Sequence, residues 1–172
     1  MPSVNTRDYS PLLASARAAR PTTRDAAMRL VVDLLWSAFG DPGPHTPNRG
    51  YSWVGFYTLG PAPDQMTLAV RRNKPACSPI GLHGMCGRGY LTRQPILIPD
   101  VSTLGANYIA CDPKDRSEMV IPCLNADGSC WGVLDADSWD LAAFGDADVA
   151  GVAQLLSVTG LSAGPLAQTL RL

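Results

Sequence analysis

The sequence predicts an α+β domain in which one antiparallel sheet packs against helices. Three observations lead there. Apolar residues recur at helical spacing near both ends of the chain. The strand-like runs between them pair as hairpins more than as strand–helix–strand units. A loop-rich middle separates two strand pairs, and long ordered loops are more often functional than decorative.

Each element has a local reason. Residues 1–21 carry Pro2, Pro11 and Pro21 and form an arm with one short helix around residues 12–19. Thr22, followed three residues later by Asp25, marks a helix start. Ala27, Val31, Leu34, Leu35 and Ala38 continue that helix, and Gly40 stops it. Residues 41–50, with three prolines and two glycines, form a loop. Residues 52–59 are aromatic and β-branched, hence a strand, and residues 66–71 form a second after a Gly-Pro-Ala-Pro-Asp turn. Residues 72–88 are a loop leading into a short helix near residues 87–92, which Pro95 ends. Residues 96–98 make a brief strand, and residues 100–115 are irregular. Residues 117–124 and 130–137 are strands around the turn Ala126-Asp127-Gly128-Ser129. Val149, Val152, Leu155 and Leu156 stripe a last helix, closed by Gly160 and Gly164, and residues 165–172 are a tail.

Composition narrows the function classes. The 172 residues include 14 Lys+Arg and 15 Asp+Glu, a formal net charge of -1, which argues against a domain built to grip phosphate backbone. An apolar fraction of 46% supports a real core. Five cysteines, an odd count, fit poorly with a disulfide-built secreted scaffold. No apolar run suits a membrane span, and the first ten residues do not resemble a secretory signal. The expectation is a cytoplasmic protein with thiols reduced at rest, either an enzyme or a small-molecule binding module.

The second hairpin places acids at residue level. With Asp127-Gly128 as a two-residue turn, Glu118 faces Asp137 and Val120 faces Asp135. Asp135 and Asp137 share a face, so three carboxyl groups gather at one end of a strand pair. Like charges so placed need a counterion or a shared proton. A pocket for a cationic group such as a free amine, with one acid carrying a proton, is one reading. A solvated sheet face whose turn has a different length, or whose bulge scatters the three groups, is the other. In the first strand Trp53, Gly55 and Tyr57 share a face, two aromatics flanking an open glycine. That pattern describes either a slot for an apolar or cationic group or aromatics packed under a helix.

Cys77, Cys86 and Cys111 lie in the loop-rich middle. No Cys-x-x-Cys occurs and the spacings fit no ordinary structural zinc pattern. Cys86 precedes a helix, a position that favours the thiolate. Three loop cysteines suggest thiol chemistry with an internal resolving partner, against small buried hydrophobes as the commoner fate. Cys123 and Cys130 fall on the face opposite the acids and are assigned to core packing. Nothing supports a role for His45, and His83 with Cys86 makes a poor metal site.

Several segments taken in order resemble one family. They are Ser52-Trp53-Val54-Gly55-Phe56-Tyr57, Lys74-Pro75-Ala76-Cys77, Gly84-Met85-Cys86-Gly87, Pro99-Asp100-Val101, Ile109-Ala110-Cys111-Asp112, Ser117-Glu118-Met119-Val120-Ile121-Pro122 and Gly132-Val133-Leu134-Asp135-Ala136-Asp137-Ser138. Together they resemble the free methionine-(R)-sulfoxide reductases, single-domain GAF proteins, over about residues 25–160. The resemblance implies a GAF domain over residues 22–164, with a six-stranded antiparallel sheet packed against helices, and a homodimer. It implies reduction of free methionine (R)-sulfoxide, regenerated by thioredoxin, with no metal or organic cofactor. By the same resemblance Cys111 is the nucleophile, Cys77 the resolving cysteine and Cys86 a third active-site cysteine. Glu118, Asp135 and Asp137 bind the substrate, and Trp53 and Tyr57 wall its methyl-sulfoxide end. The segment between Cys77 and Cys86 is one residue shorter than usual, and Cys123 and Cys130 are additional. The alternative is a non-catalytic GAF module that senses a small ligand, which would not need Cys77 and Cys111 within disulfide reach.

Overall fold

The computed structural model describes residues 7–40 and 50–172. The proline-rich loop with His45 and the first six residues of the arm therefore lie outside the described residues. Helix α1 (Ser10–Ala19) and helix α2 (Arg24–Phe39) lead into strands β1 (Trp53–Leu59), β2 (Gln65–Arg72) and β3 (Ile80–Gly81). Helix α3 (Met85–Thr92), strand β4 (Ile96–Ile98) and a 3-10 helix (Val101–Asn107) fill the middle. Strands β5 (Ser117–Leu124) and β6 (Cys130–Ser138), helix α4 (Asp146–Val158) and strand β7 (Leu170–Arg171) complete the order. Among the described residues no helix is long and apolar enough to cross a membrane.

The fold class agrees with the sequence, but the sheet differs in two respects. Among the described residues it has seven strands in the order β3-β2-β1-β6-β5-β4-β7, and it is mixed, because β7 runs parallel to β4. The tail supplies that extra strand. The Leu170 amide donates to the Pro95 carbonyl at 2.8 Å, and the Leu172 amide donates to the Leu97 carbonyl at 3.2 Å. A three-residue β4 leaves an open edge, and an open edge takes up any chain that can offer its backbone groups. Strands as short as β3 and β7 show no alternation, so hydropathy does not reveal them. The start of α2 also differs: Thr23, not Thr22, is the cap, with its hydroxyl accepting from the Ala26 amide at 3.2 Å.

Strand alternation divides the buried residues between two faces. Val54, Phe56, Met119, Ile121, Cys123, Leu134 and Ala136 join α1, α2 and α4 in the larger core. Trp53, Tyr57, Val120 and Val133 point the other way and meet Met85 and Cys86 of α3. Helix α3 can sit close on β5 because Gly89 carries no side chain; a Cβ there would fall 2.8 Å from Val120 Cγ1.

The arm is tied down by a buried charge. Arg7 Nη1 donates to Asp148 Oδ1 at 2.9 Å, and the Tyr9 hydroxyl donates to the same oxygen at 2.8 Å. Asp148 Oδ2 accepts the Gly145 amide at 2.9 Å, closing the first turn of α4. The Arg7 guanidinium lies over Phe39, Tyr51 and Phe144, with centroid distances of 5.7, 5.1 and 5.5 Å. An arginine excluded from water needs its carboxylate. Asp148→Ala leaves Arg7 buried and unpaired, so a loss of about 3–5 kcal/mol is expected in denaturant unfolding, with Asp148→Asn losing less. Equal midpoints for wild type and Asp148→Ala would show that the pair does not anchor the arm.

Candidate active site

The three acids of the second hairpin do converge. Glu118 pairs with Asp137 and Val120 with Asp135, the register expected from the sequence. The turn itself is not the expected one. The Asn125 amide donates to the Ser129 carbonyl and the Gly128 amide to the Asn125 carbonyl, which encloses residues 126–128 rather than two residues. Gly128 has φ +81, a conformation glycine tolerates best. A longer turn alone would put the acids on opposite faces. The pairing slips back between Cys123 and Leu124, where Cys123 faces Gly132 but Leu124 faces Cys130, so Trp131 bulges out. Turn and bulge cancel, and the register at the acidic end is restored.

Strand β1 adds the aromatics to the same face. Trp53 pairs with Asp137, Gly55 with Asp135 and Tyr57 with Val133. The space over Gly55 is not an open slot, however. The Trp53 ring folds across it, and a Cβ on Gly55 would lie 2.4 Å from Trp53 Cη2. The two rings stand 6.0 Å apart at 34°. Their polar tips reach into the cysteine loop: Trp53 Nε1 donates to the Lys74 carbonyl at 2.9 Å, and the Tyr57 hydroxyl donates to the Cys77 carbonyl at 2.8 Å.

Of the three loop cysteines, Cys77 and Cys111 form a disulfide with Cα atoms 5.5 Å apart. Cys86 is a free thiol, buried in the first turn of α3. Its sulfur and one oxygen each of Glu118 and Asp135 lie within 4.8 Å of one another. The expectation of a thiolate at this helix start is overturned. Burial, then the facing carboxyl groups of Asp135 and Glu118, push the Cys86 thiol well above its ordinary range. Cys123 is buried in the larger core, as its side of the hairpin requires, and Cys130 is half-buried; both are free thiols.

The cavity between these groups is lined by Trp53, Tyr57, Cys86, Cys111, Glu118, Asp135 and Asp137, all singled out in the sequence. It also takes in residues the sequence reading missed, among them Asp115, Tyr108, Ile109, Met85 and Ile80. Asp115 is the important omission. It sits outside any periodic element, so no spacing points to it; its side chain accepts from the Ser52 hydroxyl at 2.8 Å. Four carboxyl groups thus face one cavity, and among the described residues lining it there is no Lys, Arg or His. Burial and mutual repulsion raise Glu118, Asp135 and Asp137 well above the carboxylate range. Burial pushes Asp115 up to about 6 despite its hydrogen bond from Ser52. Asp135 Oδ1 is buried without a hydrogen-bond partner. A cationic donor entering the cavity would satisfy that oxygen and relieve the repulsion.

Comparison with known proteins identifies the architecture. The family model described as "GAF domain" matches residues 24–162. The solved free methionine-R-sulfoxide reductase of Neisseria meningitidis, determined in complex with its substrate, is 31% identical with a TM-score of 0.72, covering 90% of this chain and 89% of that one. The free methionine-R-sulfoxide reductase of Saccharomyces cerevisiae is 34% identical over 99 residues, which is 56% of this chain and 54% of the yeast protein. The one of Escherichia coli is 37% identical over 108 residues, 62% of each. The matched segment thus spans about half of the yeast protein and 62% of the Escherichia coli one.

The acid cluster has a measurable consequence for stability. A carboxyl whose folded pKa is raised holds its proton longer in the folded chain than in the unfolded one. Stability is then full below the ordinary carboxylate pKa and falls as pH rises toward the folded value, about 1.4 kcal/mol per unit of separation. Glu118→Gln removes one such group. The variant should match wild type near pH 4 and exceed it in denaturant midpoint at pH 8. An unchanged difference across that range would mean Glu118 is not protonated in the folded chain.

Proposed function

We propose that this chain, which belongs to the GAF domain family and is related to the free methionine-R-sulfoxide reductases, reduces free methionine (R)-sulfoxide to methionine by thiol chemistry. The observation that carries this reading is one cavity that combines a disulfide-linked Cys111 with four carboxyl groups and two aromatic rings, with no Lys, Arg or His among its described lining residues. The acids suit the ammonium of a free amino acid, with Asp135 Oδ1 as its unpaired acceptor. A residue inside a polypeptide has no such ammonium, which favours the free amino acid over a protein-bound one. Trp53 and Tyr57 offer ring faces and edges to the methyl-sulfoxide end.

In the reduced enzyme the Cys111 thiolate attacks the sulfoxide sulfur. A protonated carboxyl, Glu118 or Asp135, donates a proton to the departing oxygen. The raised pKa of both groups supports their carrying that proton near neutral pH. The hydroxyl passes to the Cys111 sulfur: the substrate sulfur–oxygen bond breaks, a Cys111 sulfur–oxygen bond forms, the substrate sulfur gains the two electrons that Cys111 loses, and methionine leaves with Cys111 as sulfenic acid. The Cys77 sulfur then attacks the Cys111 sulfur. A sulfur–sulfur bond forms, the sulfur–oxygen bond breaks, and the oxygen leaves as water. The Cys77–Cys111 disulfide is the product expected of that step. An external dithiol, which we take to be thioredoxin, returns two electrons and two protons by exchange. We assign Cys86, a thiol beside the acids, the role of relay or substitute for Cys77.

The deciding measurement is methionine formation with a dithiol reductant from free (R)-sulfoxide, free (S)-sulfoxide and a peptide-bound sulfoxide. Turnover of the free (R)-form alone is expected. Cys111→Ala should abolish it. Asp135→Asn should raise KM at least about tenfold, the loss of one charge-assisted hydrogen bond. Substrate binding with no methionine formed by wild type would instead describe a ligand sensor.

A further inference from the structure

The loops that carry Cys77 and Cys111 are joined by more than their sulfurs. Three residues before Cys77, the Lys74 ammonium pairs with Asp112 Oδ2, on the residue immediately after Cys111. Asp112 is otherwise saturated: Oδ2 accepts Trp139 Nε1 at 3.1 Å, and Oδ1 accepts the Lys114 amide at 3.0 Å. The ammonium groups of Lys74 and Lys114 both lie over the Trp139 ring, at 5.3 and 4.9 Å from its centre. Trp139 follows directly on the last residue of β6, so the sheet backs the arrangement. Burial tends to raise the Asp112 carboxyl, but the hydrogen bonds from Lys74, Lys114 and Trp139 outweigh it, and the group stays ionised. Its side chain is 13% exposed, against 39% for Lys74.

We propose that the Lys74–Asp112 pair is a clasp that holds the Cys77 loop against the Cys111 loop while both sulfurs are still unbonded, so that Lys74 and Asp112 are positioning residues for disulfide closure. The inference rests on the reductase reading and adds to it. Closure needs the two Cα atoms within about 4.4–6.8 Å. Loops without secondary structure do not keep such a distance unless something fixes them. On one side the Cys77 loop is pinned through the Lys74 and Cys77 carbonyls, which accept from Trp53 and Tyr57. Those bonds tie it to β1 but leave its approach to the Cys111 loop free. The ion pair supplies the missing tie. Lys74 and Asp112 border Cys111, Asp115 and Asp137, and their opposite charges act on those two acids in opposite directions; neither is a group assigned here to carry the proton, so the clasp acts chiefly on the second step, in which sulfenic acid and thiol become disulfide and water.

The test uses the full chain, reduced and freed of reductant, mixed with one equivalent of free methionine (R)-sulfoxide. Methionine and remaining thiol are followed in time, with a sulfenic-acid-trapping nucleophile in a parallel arm. Wild type, Lys74→Met and Lys74→Arg are compared. In Lys74→Met, disulfide closure should slow about tenfold more than methionine release does, and trapped sulfenic acid should rise. Lys74→Arg should recover most of the closure rate. Rising ionic strength should slow closure in wild type and leave Lys74→Met unaffected, a dependence that mere loss of packing would not produce. A second measurement needs no sulfoxide. Titrated against a thiol–disulfide buffer, Lys74→Met should favour the dithiol about tenfold more than wild type, by linkage. Closure rate and buffer equilibrium both equal to wild type would overturn the clasp. If wild type forms no methionine, the reductase reading fails, while the buffer titration still decides whether Lys74 holds the two loops together.

Discussion

Four carboxyl groups share one cavity, and no cation lines it among the described residues. That arrangement governs the rest of the site. Desolvation and repulsion both oppose ionisation, so the cluster must hold protons or take up a positive ligand. It also explains why Cys86 is a poor thiolate despite its place at a helix start: the facing acids and burial outweigh the helix dipole. Cys111 lines the same cavity, on a loop whose next residue is an ion-paired aspartate. One cavity therefore brings proton-holding carboxyl groups and a disulfide-linked cysteine together.

The sheet makes this cluster affordable by opposing it with a well-packed second face. Three helices cover that face, and the Arg7–Asp148 pair fastens the arm to α4 behind them. Strands β1, β5 and β6 form the platform, and the disulfide-linked Cys77 and Cys111 sit on loops beside it. Trp53 and Tyr57 belong to both parts: their rings face the cavity and their polar tips hold the carbonyls of the Cys77 loop. A substitution at either aromatic therefore alters the cavity wall and the disulfide loop together, which a description of them as substrate wall alone would overlook.

The acidic register shows how a correct conclusion can rest on two errors that offset each other. A two-residue turn at Asp127-Gly128 would align Glu118 with Asp137. The protein instead uses a longer turn and a bulge at Trp131, and reaches the same alignment. The bulge is decided by packing outside the strand pair: Trp131 stacks on Phe56 at 6.3 Å, takes the Arg24 guanidinium over its ring, and donates from Nε1 to the Leu161 carbonyl. None of those partners is near Trp131 in sequence.

The amino-acid sequence by itself determined the elements with strong periodicity, the face shared by Trp53, Tyr57 and the hairpin acids, and the segments by which the family is recognised. Those features are local or alternate along a strand, and side-chain alternation follows from backbone geometry alone. Only the tertiary structure decided that Asp115 joins the acids, that Trp53 closes the space over Gly55, that Cys86 is kept protonated, and that the chain's end adds a strand to β4. Each depends on which groups meet across long sequence separations, and on how much water that meeting excludes. Burial sets charge state and register choice sets proximity, and neither quantity exists until the chain is folded.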